Sequence, residues 1–453
     1  MTFSKHNIFS GIKDSDNYFL INLLSGNADI INPDEAALLK NYLAGETIPT
    51  DLYDNLVSKG YIVDEKQEAI TFRSKYLDFV DARDDDEVQL FFVTNYSCNF
   101  ACSYCYQDEY TNQNGELTFE IIDSFFSYIY REFAGRKKYI TVFGGEPLLS
   151  SNKQKELLSY FLLNSKEANL EVCFVTNGYT LEEYIPILKS GRIREIQITL
   201  DGIGKMHDSR RFLKGGGATF DKIVKGIDAC LLNEIPLNLR MVVDKENIDG
   251  LPELAQFAID KGWTNNPIFK TQLGRNYELH HCQSTSENLF SRVSLYQTIY
   301  ELIKLHPHIL QFHKPAYSVA NFLFENDSLP DPLFDACPAC KTEWAFDYTG
   351  QIYSCTATVG KTGESLGTFY PEITRKNDMI QQWENRDVVA IPECNNCNLQ
   401  LACGGGCGSV AKNRTGNICS TDCRPITELL ELGLSAYFDN NTSSTTNITK
   451  CSC

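Results

Sequence analysis

From residue 88 onward, short apolar runs alternate with longer amphipathic stretches. The runs lie at 88–94, 139–143, 171–176, 195–200, 237–243 and 268–272, each of strand length. The stretches at 119–133, 153–165, 181–189, 220–232 and 251–261 repeat their apolar residues with helical period, and another helical stretch covers 286–305. Strands alternating with helices predict parallel βα units, and six of them predict a partial (β/α)6 barrel, an α/β fold. In such architectures chemistry sits on the loops that follow the strands.

The chain before residue 82 has a different rhythm. Two apolar segments, 18–22 and 28–31, flank Ser25-Gly26-Asn27, a hairpin signal. Asn32-Pro33-Asp34-Glu35 opens a helix running to Leu43, with Asn32 as its cap. A second helix over 51–59 stops at Gly60, and Tyr61-Ile62-Val63 returns as a strand. The pattern divides the chain into a small unit (1–82), a barrel (86–310), a linker (311–336), a cysteine-rich domain (337–425), and a helix with a polar tail (426–453).

Composition narrows the classes. Lys and Arg total 41 against 59 Asp and Glu, a net charge of −18, which argues against nucleic acid as a partner. No apolar run reaches the length of a membrane span, and the first residues lack a signal-peptide core, so a cytoplasmic protein is expected. In that reducing compartment, 17 cysteines point to metal binding rather than disulfides.

Cys98, Cys102 and Cys105 stand at CxxxCxxC spacing directly after the first barrel strand. Four thiolates complete an iron–sulfur cube, so three leave one iron open for a ligand. The next loop carries Gly144-Gly145-Glu146-Pro147. Thr176-Asn177 ends the third strand, Thr199 and Asp201 end the fourth, and His207-Asp208-Ser209-Arg210-Arg211 follows. Together these resemble the radical S-adenosylmethionine (radical SAM) superfamily. The resemblance implies that the GGEP backbone receives the methionyl ammonium, and that Thr176, Asn177, Thr199 and Asp201 lie near the ribose and methionyl end. It also implies that Arg211 pairs with the methionyl carboxylate, with Arg210 as its alternative, and that Tyr104 packs near the adenine. A guanidinium fork suits a carboxylate. Lys214-Gly215-Gly216-Gly217 lacks the ending of a phosphate loop.

A second cysteine field comprises Cys337, Cys340, Cys355, Cys394, Cys397, Cys403, Cys407, Cys419 and Cys423. Paired CxxC motifs also suit zinc, but nine cysteines fit two four-thiolate clusters with one over. The spacing resembles the SPASM extension of peptide- and protein-modifying radical SAM enzymes. Carried over, one auxiliary cluster takes Cys337, Cys340, Cys355 and Cys407. The other takes Cys394, Cys397, Cys403 and either Cys419 or Cys423, with Cys423 preferred.

The resemblance implies three [4Fe-4S] clusters, S-adenosyl-L-methionine, and an electron donor such as flavodoxin or ferredoxin. The unit at 1–82 resembles the winged-helix elements that bind leader peptides, so a ribosomally made precursor peptide is the expected substrate. The expected product is a thioether or carbon–carbon crosslink, or an epimerised residue. Two alternatives stay open: formylglycine formation on sulfatases, and a non-catalytic iron–sulfur or zinc scaffold that binds a peptide. The first is weakened by Thr356, which stands where that subfamily has an Asp base after the cysteine matched by Cys355. Cys282 beside His280 and His281, and the terminal Cys451 and Cys453, are read as a polar connection and an inert tail.

Overall fold

A computed structural model describes residues 1–105, 115–276 and 287–442, with 437–442 described by backbone alone. Cys282 with His280 and His281, and the Cys451–Cys453 pair, lie outside the described residues.

The chain opens with β1 (Thr2–Phe3), β2 (Asn7–Gly11), β3 (Tyr18–Asn22), β4 (Asn27–Ile31) and β5 (Ile62–Val63). β2, β3 and β4 form an antiparallel sheet in that order, so the expected hairpin gains a third strand. β1 pairs with β5 across two helices, Pro33–Leu43 and Thr50–Ser58. The Asn32 side chain accepts from Glu35 N and caps the first helix, with Pro33 in its first turn.

A helix that the apolar pattern did not reveal, Glu65–Asp85, follows directly. It is mostly polar, but Phe72, Tyr76 and Phe79 share one face at helical spacing. Their rings lie 5.1, 5.4 and 5.5 Å from that of the buried Phe334. This aromatic contact fastens the N-terminal unit to the segment just before the second cysteine field.

The barrel is six parallel strands in sequence order: β6 (Val88–Val93), β7 (Lys138–Phe143), β8 (Val172–Thr176), β9 (Ile193–Thr199), β10 (Leu237–Val243) and β11 (Phe269–Arg275). Helices Phe119–Glu132, Asn152–Glu167, Leu181–Leu188, Phe220–Leu232 and Leu251–Asp260 separate them. Alternate strand residues such as Leu90, Phe92, Ile140, Phe174, Ile198, Leu239 and Met241 are fully buried in one core. The other face carries polar pairs, Gln89 with Thr141 and Gln197 with Gln272, beside the ring contact of Phe91 with Phe143.

The sheet does not stop at β6. β12 (Glu343–Asp347) lies parallel beside it, pairing Glu343 with Gln89 through Asp347 with Val93. β13 (Gln351–Tyr353), β14 (Gly367–Thr368) and β15 (Thr374–Arg375) continue antiparallel, making ten strands in one sheet. Among the described residues no helix is long and apolar enough to cross a membrane.

Candidate active site

The CxxxCxxC loop leaves the end of β6 and is laced to its neighbours by backbone hydrogen bonds. Ala101 N donates to Phe212 O at 2.9 Å, Ser103 N to Arg210 O at 3.0 Å, and Lys214 N to Asn99 O at 2.8 Å. The Arg210-Arg211 segment is thereby held against the three cysteines. Burial pushes the Cys98 thiol up to about 12, and the nearby Glu146, Cys102 and Cys105 add to the effect. Such a thiol becomes a good ligand when a cation takes the place of its proton.

The GGEP loop packs on the same segment from the other side. Gly145 N donates to Asn95 O at 2.9 Å and Glu146 N to Ser97 O at 2.8 Å. Gly144 has φ of 137°, and a Cβ on it would stand 2.5 Å from Asn95 O; one on Gly145 would stand 2.0 Å from Ser97 O. The glycines are therefore required for contact with the cysteine loop. Both amides at 145 and 146 are engaged there, so an ammonium has carbonyl oxygens to meet.

Glu146 turns inward. Its fully buried carboxylate accepts from Thr176 Oγ1 at 2.6 Å, Asn177 N at 2.7 Å and Leu148 N at 2.8 Å. Burial pushes this carboxyl upward against those three bonds. Glu146 and Thr176 thus tie two loops together. Pro147 offers its carbonyl to Gln154 Nε2 at 2.8 Å. Asn177 reaches the cysteine loop, donating to Asn99 Oδ1 at 2.8 Å, a partner that the sequence reading did not single out. Thr199 is buried at the end of β9.

Asp201 is fully buried and accepts from Tyr104 Oη at 2.6 Å and Val242 N at 3.0 Å. Arg210 is committed to acids: it donates from Nη2 to Asp244 at 2.8 Å and from Nη1 to Glu246 at 3.0 Å. Arg211 is not. Its Nη1 donates to Tyr104 Oη at 2.7 Å, its Nε is buried without a partner, and among the described residues no carboxylate pairs with it. Burial opposes its charge, and Tyr104, Cys102 and Asp201 outweigh that opposition. His207 sits behind both arginines. Its Nδ1 accepts from Asp201 N at 3.1 Å, so Nε2 carries the proton and faces Thr219 Oγ1 at 3.1 Å. Thr219 in turn donates to Arg211 O at 2.5 Å.

The second cysteine field falls into two groups. Cys355 feels Glu343, Cys337 and Cys407, and Cys340 feels Cys355 and Cys337, with burial pushing both thiols well up. Cys394 is pushed up to about 11 by burial, then by Cys403, Cys397 and Cys423. Among the described residues no three such side chains stand close enough together to hold one metal ion. Arg386, fully buried, donates to four carbonyls: Ile418 at 2.8 Å, Gly406 at 3.0 Å, Gly405 at 2.7 Å and Ser420 at 3.0 Å. Lys341 pairs with Asp335 and donates to Cys337 O at 3.1 Å.

A buried bridge joins the two fields. Asp347 Oδ2 accepts from Tyr96 Oη at 3.0 Å and from Tyr353 Oη at 3.0 Å. Tyr96 precedes Cys98 by two residues, and Tyr353 precedes Cys355 by two.

The residues fit the groups that the resemblance implies. Arg211 is a buried cation beside Cys102 with no carboxylate partner among the described residues, Cys98 feels the charges of Cys102 and Cys105, and Cys394 those of Cys397, Cys403 and Cys423. A partial barrel with a three-cysteine loop after its first strand defines the class of radical SAM enzymes. Residues 92–258, which span most of the barrel, match the Radical SAM superfamily. Relatives include a GTP 3′,8-cyclase of Campylobacter fetus, 29% identical over 170 residues, 36% of this chain and 50% of that protein. Another is the Fe-coproporphyrin III synthase of Methanosarcina barkeri, 26% identical over 166 residues, 35% of this chain and 37% of that protein. The chain spans about half the length of the GTP 3′,8-cyclases it matches. By fold it is similar to native anSMEcpe with bound AdoMet and Cp18Cys peptide, with TM-score 0.60, 16% identity, and 79% and 100% of the two chains covered. It is also similar to Streptococcus suis SuiB, with TM-score 0.50, 15% identity, and 93% and 98% covered.

Proposed function

We propose that this protein is a radical SAM peptide maturase with one substrate-activating cluster and two auxiliary clusters. The observation that carries it is Arg211, a buried guanidinium beside the three-cysteine loop that has no carboxylate partner among the described residues. Cys98, Cys102 and Cys105 hold the first cluster. Cys337, Cys340, Cys355 and Cys407 hold the second, and Cys394, Cys397, Cys403 and Cys423 the third.

When bound, the first cluster and S-adenosylmethionine supply a 5′-deoxyadenosyl radical that removes a hydrogen atom from the substrate. The chain's own work is to bind and orient. Arg211 meets the methionyl carboxylate, the carbonyls of Gly144 and Gly145 meet the ammonium, and Tyr104 holds Arg211 in place. Asp201 and Glu146 fix the loops that shape the pocket, and Asn177 steadies the cysteine loop through Asn99.

A peptide substrate is supported by the likeness of the fold to a peptide-bound protein and by the resemblance of the first unit to leader-binding elements. The product we assign is a thioether or carbon–carbon crosslink, with epimerisation as the second outcome. Formylglycine formation is disfavoured, because Thr356, which has no carboxylate, follows Cys355 and donates to the carboxylate of Glu343, its backbone N at 2.7 Å.

The test is mass spectrometry of a short peptide encoded beside this gene, incubated in heavy water with reconstituted enzyme, reductant and S-adenosylmethionine. Loss of two hydrogens means a crosslink, and gain of one deuterium means epimerisation. Replacing Cys98, Cys102 and Cys105 by Ala should abolish cofactor cleavage and leave about two thirds of the iron. Unchanged cleavage overturns the assignment.

A further inference from the structure

Arg240 lies on β10, where Leu237, Leu239, Met241 and Val243 bury one face against the helices. Arg240 alternates with them and so projects from the opposite face, between Thr199 of β9 and Gln272 of β11 in register. Its guanidinium leans toward the carboxyl ends of the strands and lies over Gly274. A Cβ there would stand 2.6 Å from its Nε and 2.8 Å from its Nη2. The missing side chain at 274 is what gives the guanidinium room.

The Arg240 Nε is buried without a partner. Among the described residues no carboxylate pairs with it. The polar groups around it are already spent on one another. Gln197 donates to Gln272 at 2.7 Å, and Glu195, the nearby acid of this face, takes Asn238 at 3.0 Å and Lys270 at 3.7 Å. A buried guanidinium Nε without a hydrogen-bond partner is costly, and a carboxylate is the ligand that relieves it.

We propose that Arg240 is a substrate-binding residue that takes a carboxylate of the peptide, on an acidic side chain or at the C-terminus. This rests on the peptide-maturase reading above. The argument is a matching of charges: among the described residues neither Arg211 nor Arg240 pairs with a carboxylate, each has a buried Nε without a partner, and S-adenosylmethionine brings one carboxylate. Arg211 lies against the cysteine loop and claims it. The second anion has to come from the molecule that enters the barrel beside the cofactor.

The test uses the full cluster-loaded protein and two sets of synthetic pentapeptides, one with a central Glu and one with a central Gln. With S-adenosylmethionine present, the Glu set binds tighter than the Gln set by about tenfold, the worth of one charge-assisted pair. Arg240→Gln removes that preference and leaves cofactor affinity unchanged. Gly274→Ala, which crowds the guanidinium without removing it, reduces the preference. Four results overturn the proposal: no Glu preference in the parent protein, a preference that survives Arg240→Gln, a loss of S-adenosylmethionine affinity in Arg240→Gln with peptide discrimination intact, or Arg240-dependent binding of GTP in place of peptide. If the parent protein fails to bind S-adenosylmethionine at all, the maturase reading itself has failed, which is a separate result.

Discussion

The Arg211 guanidinium is held by the Tyr104 hydroxyl at 2.7 Å, and that same hydroxyl donates to Asp201 at 2.6 Å. One phenol therefore aims the cation and satisfies the acid behind it. Tyr104→Phe keeps the ring and removes both bonds, leaving a fully buried carboxylate with one donor fewer. The expected result is a loss of S-adenosylmethionine affinity of about tenfold, measured by equilibrium dialysis, with iron content unchanged. Affinity equal to the parent would mean that Arg211 does not need this aim.

Cys423 is among the groups that raise the thiols of Cys394 and Cys403. Cys423→Ala should lower bound iron by about a third, if three four-iron clusters are present, and Cys419→Ala should leave it unchanged. Iron and sulfide assays after reconstitution decide this, and the reverse pattern would exchange the two ligands.

Arg386 makes four hydrogen bonds to the carbonyls that shape the turn at 404–406 and the segment at 418–420. Arg386→Met keeps the bulk and leaves these buried oxygens without donors. The expected destabilisation is on the order of 3–5 kcal/mol, seen as a lower thermal midpoint and loss of auxiliary iron. An unchanged midpoint would show that water replaces the guanidinium.

Three histidines make the fold sensitive to acid. Burial lowers His6 and His313 to about 4 and His207 to about 3, and Arg211 and Arg210 also depress His207. Each stays neutral in the folded protein, whereas the unfolded chain takes up a proton below its ordinary value near 6.5. Their contribution is complete above that value and is lost as pH falls from 6.5 toward 4, roughly 2 kcal/mol for each histidine between pH 7 and pH 5. The thermal midpoint should fall over that interval. His6 stacks on Phe72 at 5.3 Å with both ring nitrogens unpartnered, so His6→Phe should raise the midpoint at pH 5 more than at pH 7. A flat pH profile would contradict the burial of these rings.

The barrel was legible because each of its strands and helices carries its own period, from Val88–Val93 to Phe269–Arg275. The three-cysteine motif was legible because its cysteines are close in sequence, whereas the contact of Arg211 with Tyr104 joins residues far apart in the chain. The helix Glu65–Asp85 was missed because one aromatic row, Phe72, Tyr76 and Phe79, is its main apolar signal, and that row faces the distant Phe334 rather than a neighbouring strand. Asp347 and Arg386 carry no local mark. Their partners, Tyr96 for one and the carbonyls at 405–420 for the other, come from elsewhere in the chain, so spacing could not expose them. Gly144 and Gly145 were read as room for a ligand. Their close contacts are with the backbone of 95–97.

The pairing of β12 with β6 has a consequence for anyone who would trade one cysteine-rich module for another. The seam between the two halves runs down the middle of a ladder of peptide hydrogen bonds. A graft cut at residue 337 would carry away the barrel's neighbouring strand and leave Tyr96 facing a vacancy. A transplant that hopes to keep the spacing between Cys98 and Cys355 must bring β12 and β13 with their native register, because that register is the ruler that sets the gap.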